Sequence, residues 1–193
     1  MIKRPLPSGS GALLVLVVLI GINLRPFLTA IGPLAGEIDA QLALGMDRLA
    51  WVTLLPLLLI GVGVLLTPAL IDKTGPRPLL GAALLLLMLG SALRLDLASG
   101  TLLIASAALC GLGSALVQGT LPGLIKRAFA GKVPLVMGIF SACMMGGGAL
   151  GAVLTPRLAE YLDWSRALAL WGLPVLLALG WLAWRVPLPA PAS

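Results

Sequence analysis

An arginine stands inside an apolar segment near the beginning of the chain, in the run from Gly21 to Thr29 (GINLRPFLT). The residues from Pro5 to Leu24 carry no charge. A guanidinium in such a segment is costly unless it faces a polar cavity or a partner. It stays protonated, and its planar fork of donors suits small planar anions. Because no acidic residue lies nearby in the sequence, Arg25 predicts a binding site in which a small polar or anionic solute supplies the counter-charge.

The neighbours of Arg25 favour a cavity at this point. Asn23 and Thr29 bracket the arginine, and Thr29 follows it by one helical turn on the same face. Pro26 removes one backbone hydrogen bond and crowds the carbonyl of Ile22, which loosens the helix. We expect Asn23, Arg25 and Thr29 to contact the solute. The alternatives for Arg25 are a structural ion pair with a helix outside this chain, or snorkelling towards the lipid surface.

The elements that must position these residues are membrane helices. Hydrophobic residues make up 60% of the chain and charged residues 10%, which is typical of a polytopic membrane protein. The charge-free stretches predict one six-helix domain in the lipid bilayer, with spans at about 11–36, 49–71, 78–95, 101–125, 133–156 and 166–185 and a proline-rich linker at 186–193. Arg94 is expected to snorkel at the end of the short third span. Interfacial anchors are expected at Trp51, Trp164, Trp181 and Trp184.

The basic residues predict the orientation of the chain. With the N-terminus inside, eight basic residues fall on the cytoplasmic side and four on the other side. This bias predicts cytoplasmic termini in a multi-pass protein of a bacterial-type inner (plasma) membrane. The first segment resembles a signal peptide, but its apolar stretch resumes after Arg25 and five further spans follow. The net charge of +6 is therefore a topology signal and does not indicate nucleic acid as a partner.

A repeated segment indicates the architecture. The run from Gly63 to Asp72 (GVLLTPALID) recurs 88 positions later from Gly151 to Glu160 (GAVLTPRLAE), at the ends of the second and fifth spans. The two copies end on opposite sides of the membrane because three helices separate them. The fold class predicted is an all-α membrane protein made of two inverted three-helix repeats.

Two further groups of residues follow from this arrangement. The fourth span is equivalent to the first and carries a small, polar stripe that includes Ser114 and Gln118. These two side chains either face Arg25 across the cavity or form ordinary interhelical contacts. In the fifth span, Gly147 and Gly151 are predicted to let another helix backbone approach closely. The glycine-rich segment serves either plain packing or bending, and the second and fifth spans are where a partner surface is expected.

The residue inventory argues against an enzyme. The chain contains no histidine, which excludes a serine–histidine pair, and no aspartate lies well inside a span. Cys110 and Cys143 are far apart within apolar helices and are interpreted as small hydrophobic residues rather than a disulfide or metal site. We predict no catalytic residue, no metal and no cofactor.

Two motifs resemble a known family. The loop between the second and third spans resembles the signature loop of the major facilitator superfamily, in which an acidic residue, bases and a glycine recur at fixed spacing. Its matching residues are Asp72, Lys73, Gly75 and Arg77, while Pro68 and Pro78 replace the family's first glycine and last base. Within that superfamily, the run from Asn23 to Pro26 (NLRP), with Thr29 after it, resembles the cyanate and 2-nitroimidazole transporters.

This resemblance implies a function that the composition alone does not. It implies the N-terminal half of a twelve-helix transporter that moves a cyanate-like or nitro-aromatic solute by alternating access. The loop from Asp72 to Arg77 would then gate the cytoplasmic side. A second six-helix half is expected as partner, from another chain, a homodimer or missing sequence. The alternative is a truncated, non-transporting membrane remnant or scaffold that inserts but lacks the second half.

Overall fold

The computed structural model describes residues 10–95, 97 and 99–185, and helices dominate them. Within these residues the chain forms nine helices and no strand. In chain order they are α1 (Ser10–Asn23), α2 (Pro26–Thr29), α3 (Ile31–Leu42), α4 (Gly45–Thr74), α5 (Pro76–Ala92), α6 (Gly100–Ala128), α7 (Val133–Leu162), α8 (Trp164–Ala169) and α9 (Gly172–Arg185).

These helices correspond to the spans expected from the sequence. Helices α1–α3 overlap the first expected span, α4 to α7 overlap the second to the fifth, and α8 with α9 overlap the sixth. Five segments are long and apolar enough to cross a membrane, namely Gly11–Thr29, Gly45–Thr74, Gly100–Ala128, Val133–Leu162 and Trp164–Trp184. Helix α5 is apolar but shorter, with 17 residues. Helices α4 and α6 extend beyond the charge-free stretches because charged residues continue a helix readily in water.

The two repeats pack in a crossed manner. A methyl group built on Gly63 of α4 would lie 2.6 Å from the Cβ of Ala115 in α6, and one on Gly151 of α7 would lie 2.7 Å from the Cα of Pro26 in α2. The second span thus packs on the fourth, and the fifth packs on the first. Equivalent glycines 88 positions apart make equivalent close approaches, which is the geometry of an inverted repeat.

The interior comprises two hydrophobic clusters. The larger surrounds Leu16, Leu80 and Leu121, where α1, α5 and α6 meet. The second includes Ile38, Leu103 and Trp164, where α3, α6 and α8 meet. By contrast, most of α4 and α7 is exposed within this chain. Their outer faces carry leucines, as expected for helices that meet lipid or another protein.

Two expectations about the membrane interface are wrong. Arg94 does not snorkel to the surface, because its side chain is only 1% exposed. Trp164 is also buried, and its indole nitrogen donates a hydrogen bond of 2.7 Å to the side-chain oxygen of Gln41. Both residues form hydrogen bonds with residues on other helices. Such contacts cannot be read from the length or the hydropathy of a span. Trp51 and Trp184 are exposed, in keeping with a position at the interface.

Candidate functional site

The first span is interrupted at Leu24 and Arg25. Helix α1 ends at Asn23, Arg25 has φ −115° and ψ −25°, and α2 begins at Pro26. Proline has no N–H to continue the hydrogen-bond ladder of the helix, and its ring crowds the carbonyl four residues earlier. The carbonyl of Ile22 therefore loses its usual donor four residues later. The chain bends at the charged residue. In a regular helix the backbone groups here would be hydrogen-bonded within the helix.

The broken segment lies on the glycine-rich face of α7. A methyl group built on Gly147 would overlap the carbonyl oxygen of Ile22, and one on Gly151 would come within 2.7 Å of the Cα of Pro26. The hydroxyl of Thr29 donates a 2.8 Å hydrogen bond to the carbonyl of Gly148. Gly147 and Gly151 therefore provide a groove in which α2 sits backbone to backbone. The helix backbone that approaches them belongs to the first span of this chain.

The side chain of Arg25 projects from this junction. Its stem lies over Gly148, where an added methyl group would be 3.2 Å from the Cβ of Arg25. The residue is half-buried. Its guanidinium makes no hydrogen bond or ion pair with any residue that the structure describes. Arg25 therefore presents a positive charge and a planar set of donors that remain available to a solute.

Asn23 and Ser114 are buried polar residues without hydrogen-bond partners. Asn23 is 5% exposed and Ser114 is fully buried, and neither the Nδ2 of Asn23 nor the hydroxyl of Ser114 has a partner among the described residues. An unsatisfied buried polar group is costly, and a functional site is one explanation for it. The Asn23 amide is two residues from Arg25 in the sequence and belongs to the last turn of α1, beside the break.

No hydrogen bond joins the guanidinium of Arg25 to the polar residues predicted on the fourth span, within the residues that the structure describes. Gln118 is half-buried, and the neighbouring Gly119 packs against Thr67 of α4. Neither Gln118 nor Ser114 forms a hydrogen bond with Arg25. Of the predicted site residues, Asn23, Arg25 and Thr29 lie at the break, and Ser114 and Gln118 lie on α6 without a hydrogen bond to Arg25.

The residues of the predicted gating loop, 72–77, lie at the C-terminal end of the second span, where α4 ends and α5 begins. Gly75 has φ +84° and ends α4, a conformation that glycine adopts without strain. Arg77 donates hydrogen bonds of 3.0 and 3.3 Å to the carbonyls of Leu182 and Ala183. These carbonyls belong to the last turns of α9, where a positive charge is favourable. Asp72 and Lys73 are exposed.

One further residue near the site was not predicted as part of it. The Nη1 of Arg94 donates a 3.1 Å hydrogen bond to the carbonyl of Phe27 in α2, and its Nε donates a 3.1 Å bond to the hydroxyl of Ser106. A signal was present in the sequence, because the third span is too short to carry its terminal arginine far from the bilayer interior. Two arginines, Arg25 and Arg94, therefore flank the single turn α2.

Comparison with known proteins places this geometry in a family. The profile described as Major Facilitator Superfamily matches residues 10–193. The chain is 38% identical over 168 residues to the cyanate transport protein CynX of Escherichia coli, covering 86% of this chain and 44% of that protein. It is 35% identical over 172 residues to the 2-nitroimidazole transporter of Escherichia coli, covering 88% of this chain and 44% of that protein.

An uncharacterized transporter of Bacillus subtilis, YycB, is 32% identical over 165 residues, which cover 84% of this chain and 41% of that protein. The chain spans less than half of the length of these relatives. The resemblance predicted from the loop at 72–77 and from the run at 23–26 is therefore confirmed.

Solved structures show the same fold. A bacterial homologue of the human drug peptide transporters PepT1 and PepT2 aligns with a TM-score of 0.76 at 20% identity, covering 91% of this chain and 41% of that one. A structure from work on proton-dependent oligopeptide transporters aligns with a TM-score of 0.78 at 20% identity, covering 94% of this chain and 43% of that one. The chain belongs to the major facilitator superfamily, and it has the helical fold of half of such a transporter.

Proposed function

We propose that this chain, as a member of the major facilitator superfamily, forms the part of a membrane transporter that binds a small polar or anionic solute at Arg25. The observation that carries the proposal is the guanidinium of Arg25. It lies at a break in the first span, half-buried, with no hydrogen bond or ion pair to the described residues. A charge held at membrane depth without a protein partner is well placed to bind a charged or strongly dipolar solute.

The donors at the break define the chemistry of the solute. The guanidinium binds two acceptor atoms at once, and in a site with little water such a charge-assisted bond is stronger than in bulk water. The Asn23 amide offers a second donor. The hydroxyl proton of Thr29 is already donated to Gly148, so Thr29 serves to hold α2 in place. A compact solute with two or three acceptor atoms fits these groups best.

The names of the relatives suggest which solutes to test. Two of them are named for cyanate and for 2-nitroimidazole. Cyanate is a small anion with an acceptor at each end, and a nitro group presents two oxygens in one plane. The two coplanar oxygens of a nitro group suit the guanidinium fork, and cyanate is a compact anion that the positive charge attracts. We propose a cyanate-like or nitro-aromatic substrate for this chain on that shared chemistry.

Transport would proceed by alternating access around this site. In that mechanism a second six-helix half faces the first across the solute, and the whole moves between states open to either side of the membrane. The exposed faces of α4 and α7 suit such a partner. We place the protein in a bacterial-type inner membrane with cytoplasmic termini, as the distribution of basic residues suggests.

The proposal is tested by the uptake of labelled cyanate and labelled 2-nitroimidazole into proteoliposomes that contain the purified protein. Arg25→Ala should abolish uptake of any transported solute while leaving the amount of membrane-inserted protein unchanged. Arg25→Lys should restore it only in part, because lysine keeps the charge and loses the planar fork. The matched control is Arg166→Ala, since Arg166 is exposed and pairs with Asp163 on the surface at 4.0 Å. Uptake by the Arg25→Ala protein equal to that of the control would contradict the proposal.

A further inference from the structure

Arg94 is the most deeply buried charge among the residues that the structure describes. Its side chain is 1% exposed, and no carboxylate forms an ion pair with it within the described part of the chain. Nε and Nη1 each donate a hydrogen bond, while Nη2 has no partner. A buried guanidinium without a counter-charge is expensive, and an apolar side chain would fill the same space at lower cost. The hydrogen bonds are therefore what distinguishes arginine at this position.

Neighbouring side chains hold Arg94 and leave an oxygen free to accept its hydrogen bond. The hydroxyl of Ser106 donates its own proton to the carbonyl of Leu103 at 2.7 Å. Its oxygen is thereby left to accept the Nε–H of Arg94. The backbone of Arg94 is also held, because Ser165 of α8 donates a hydrogen bond to the Arg94 carbonyl. The guanidinium thus extends from a fixed point between α5, α6 and α8.

The other hydrogen bond of Arg94 ends on the turn that follows the break. The carbonyl of Phe27 belongs to α2, a helix of four residues. A single turn has too few internal hydrogen bonds to hold its own position. It is fixed instead from two sides. On one side Thr29 bonds to Gly148 of α7, and on the other side Phe27 bonds to Arg94.

We propose that Arg94 is a positioning residue that anchors α2 and thereby sets the place of Arg25 in the solute site. This inference rests on the proposed function for its effect on transport. Phe27 is two residues from Arg25, so a displacement of the turn carries the guanidinium of Arg25 with it. Small displacements of a binding group weaken the binding of a compact ligand strongly.

The experiment measures uptake by the full protein in proteoliposomes, using the labelled solute that the unmodified protein transports. Arg94→Met removes both hydrogen bonds and should raise the KM for that solute about tenfold, the loss expected for a hydrogen bond to a charged group, with little change in the maximal rate per folded protein. In Arg94→Lys the shorter donor group reaches only one of the two acceptors, so its KM should lie between those of the unmodified protein and Arg94→Met. Arg166→Ala is the matched control, since it removes an exposed arginine that pairs with Asp163 on the surface and leaves both hydrogen bonds of Arg94 in place. It should keep the KM within about twofold.

A second readout reports on α2 directly. Amide hydrogen exchange over residues 27–31 should accelerate in Arg94→Met and Arg94→Lys, and should be unchanged in Arg25→Ala and in Arg166→Ala. If Arg94→Met does not fold, Arg94→Lys and Ser106→Ala provide the test, because Ser106→Ala removes the acceptor that orients the guanidinium. Variants that lower only the amount of folded protein, with unchanged KM and unchanged exchange, would overturn the proposal.

The same data separate this inference from the proposed function. Normal uptake by Arg25→Ala would contradict the solute site at Arg25, whatever Arg94 does. Faster exchange over 27–31 in the Arg94 variants would still support the anchoring of α2. Normal uptake by Arg25→Ala together with unchanged amide exchange over 27–31 in every variant would contradict both the solute site at Arg25 and the anchoring of α2.

Discussion

Two pairs of helices in this molecule pack in the same manner and differ in continuity. The fourth span, α6, lies against α4 with close approaches at Gly63 and Gly111. The first span lies against α7 with close approaches at Gly147 and Gly151. Helix α6 runs without interruption from Gly100 to Ala128, whereas the first span breaks beside Arg25. The same close helix packing therefore occurs in both repeats, but only in the first repeat is the packed span interrupted beside a charged residue.

Proline alone does not explain this difference. Pro56, Pro68, Pro122 and Pro156 all lie inside continuous helices, whereas Pro26 follows a break. What differs is the surroundings of the released backbone. At the break, Gly147 leaves room for the Ile22 carbonyl, and side chains bind the turn from both sides. Irregular backbone at membrane depth is tolerated where protein surrounds it in this way.

The largest effect should come from filling the space beside the break. Gly147→Ala places a methyl group on the Ile22 carbonyl, a backbone atom that cannot rotate away. We expect the free energy of unfolding to fall by about 1–3 kcal/mol, as for other overpacked sites. Thermal unfolding in detergent would measure it. Gly146→Ala is the matched control, because nothing lies within 4 Å of a methyl group there.

Gly63→Ala sharpens the comparison between the two pairs. Its methyl group would meet the side chain of Ala115 at 2.6 Å rather than a backbone carbonyl, so its loss of stability should be smaller than that of Gly147→Ala. An equal or larger loss in Gly63→Ala would show that the broken pair is no more tightly constrained than the continuous one.

A smaller effect should come from two threonines in these helix pairs. The hydroxyl of Thr29 donates to Gly148 on another helix, whereas that of Thr67 donates to Gly63 within its own helix, each at 2.8 Å. Thr29→Val should lower the free energy of unfolding by about 1 kcal/mol, in the range measured for interhelical hydrogen bonds in membranes. Thr67→Val should cost less, because the helix keeps its backbone hydrogen bonds. Thermal unfolding of both variants checks the order, and a greater loss in Thr67→Val would contradict it.

Much of this architecture was accessible from the sequence because its signals are local or periodic. Charge-free stretches located the helices, and the repeat at Gly63 and Gly151 predicted two inverted three-helix repeats. How the spans of the two repeats pack on each other was not predicted. The weakness of the first span was predicted from Pro26, which removes a backbone hydrogen bond and crowds the carbonyl of Ile22. The glycines of α7 indicated a close helix approach, although the sequence did not show that the first span supplies the approaching backbone.

The parts that were missed depend on contacts between distant residues. Arg94 finds its acceptors on Ser106 and on Phe27, 12 and 67 positions away. Trp164 bonds to Gln41, 123 positions away. The sixth span is also interrupted, between Ala169 and Gly172, and there the indole of Trp171 donates to Thr155 at 2.9 Å. Hydropathy treats each such residue alone and assigns it to the interface or to packing.

The central claim is that the solute binds at the broken span and not at its continuous counterpart. Equilibrium binding of the transported solute to purified protein tests it most directly, by comparing Arg25→Gln with Gln118→Ala. We expect an affinity loss of about tenfold or more for Arg25→Gln, since a charge-assisted hydrogen bond is removed, and a change of less than about twofold for Gln118→Ala. Unchanged affinity in Arg25→Gln, or a larger loss in Gln118→Ala, would contradict it.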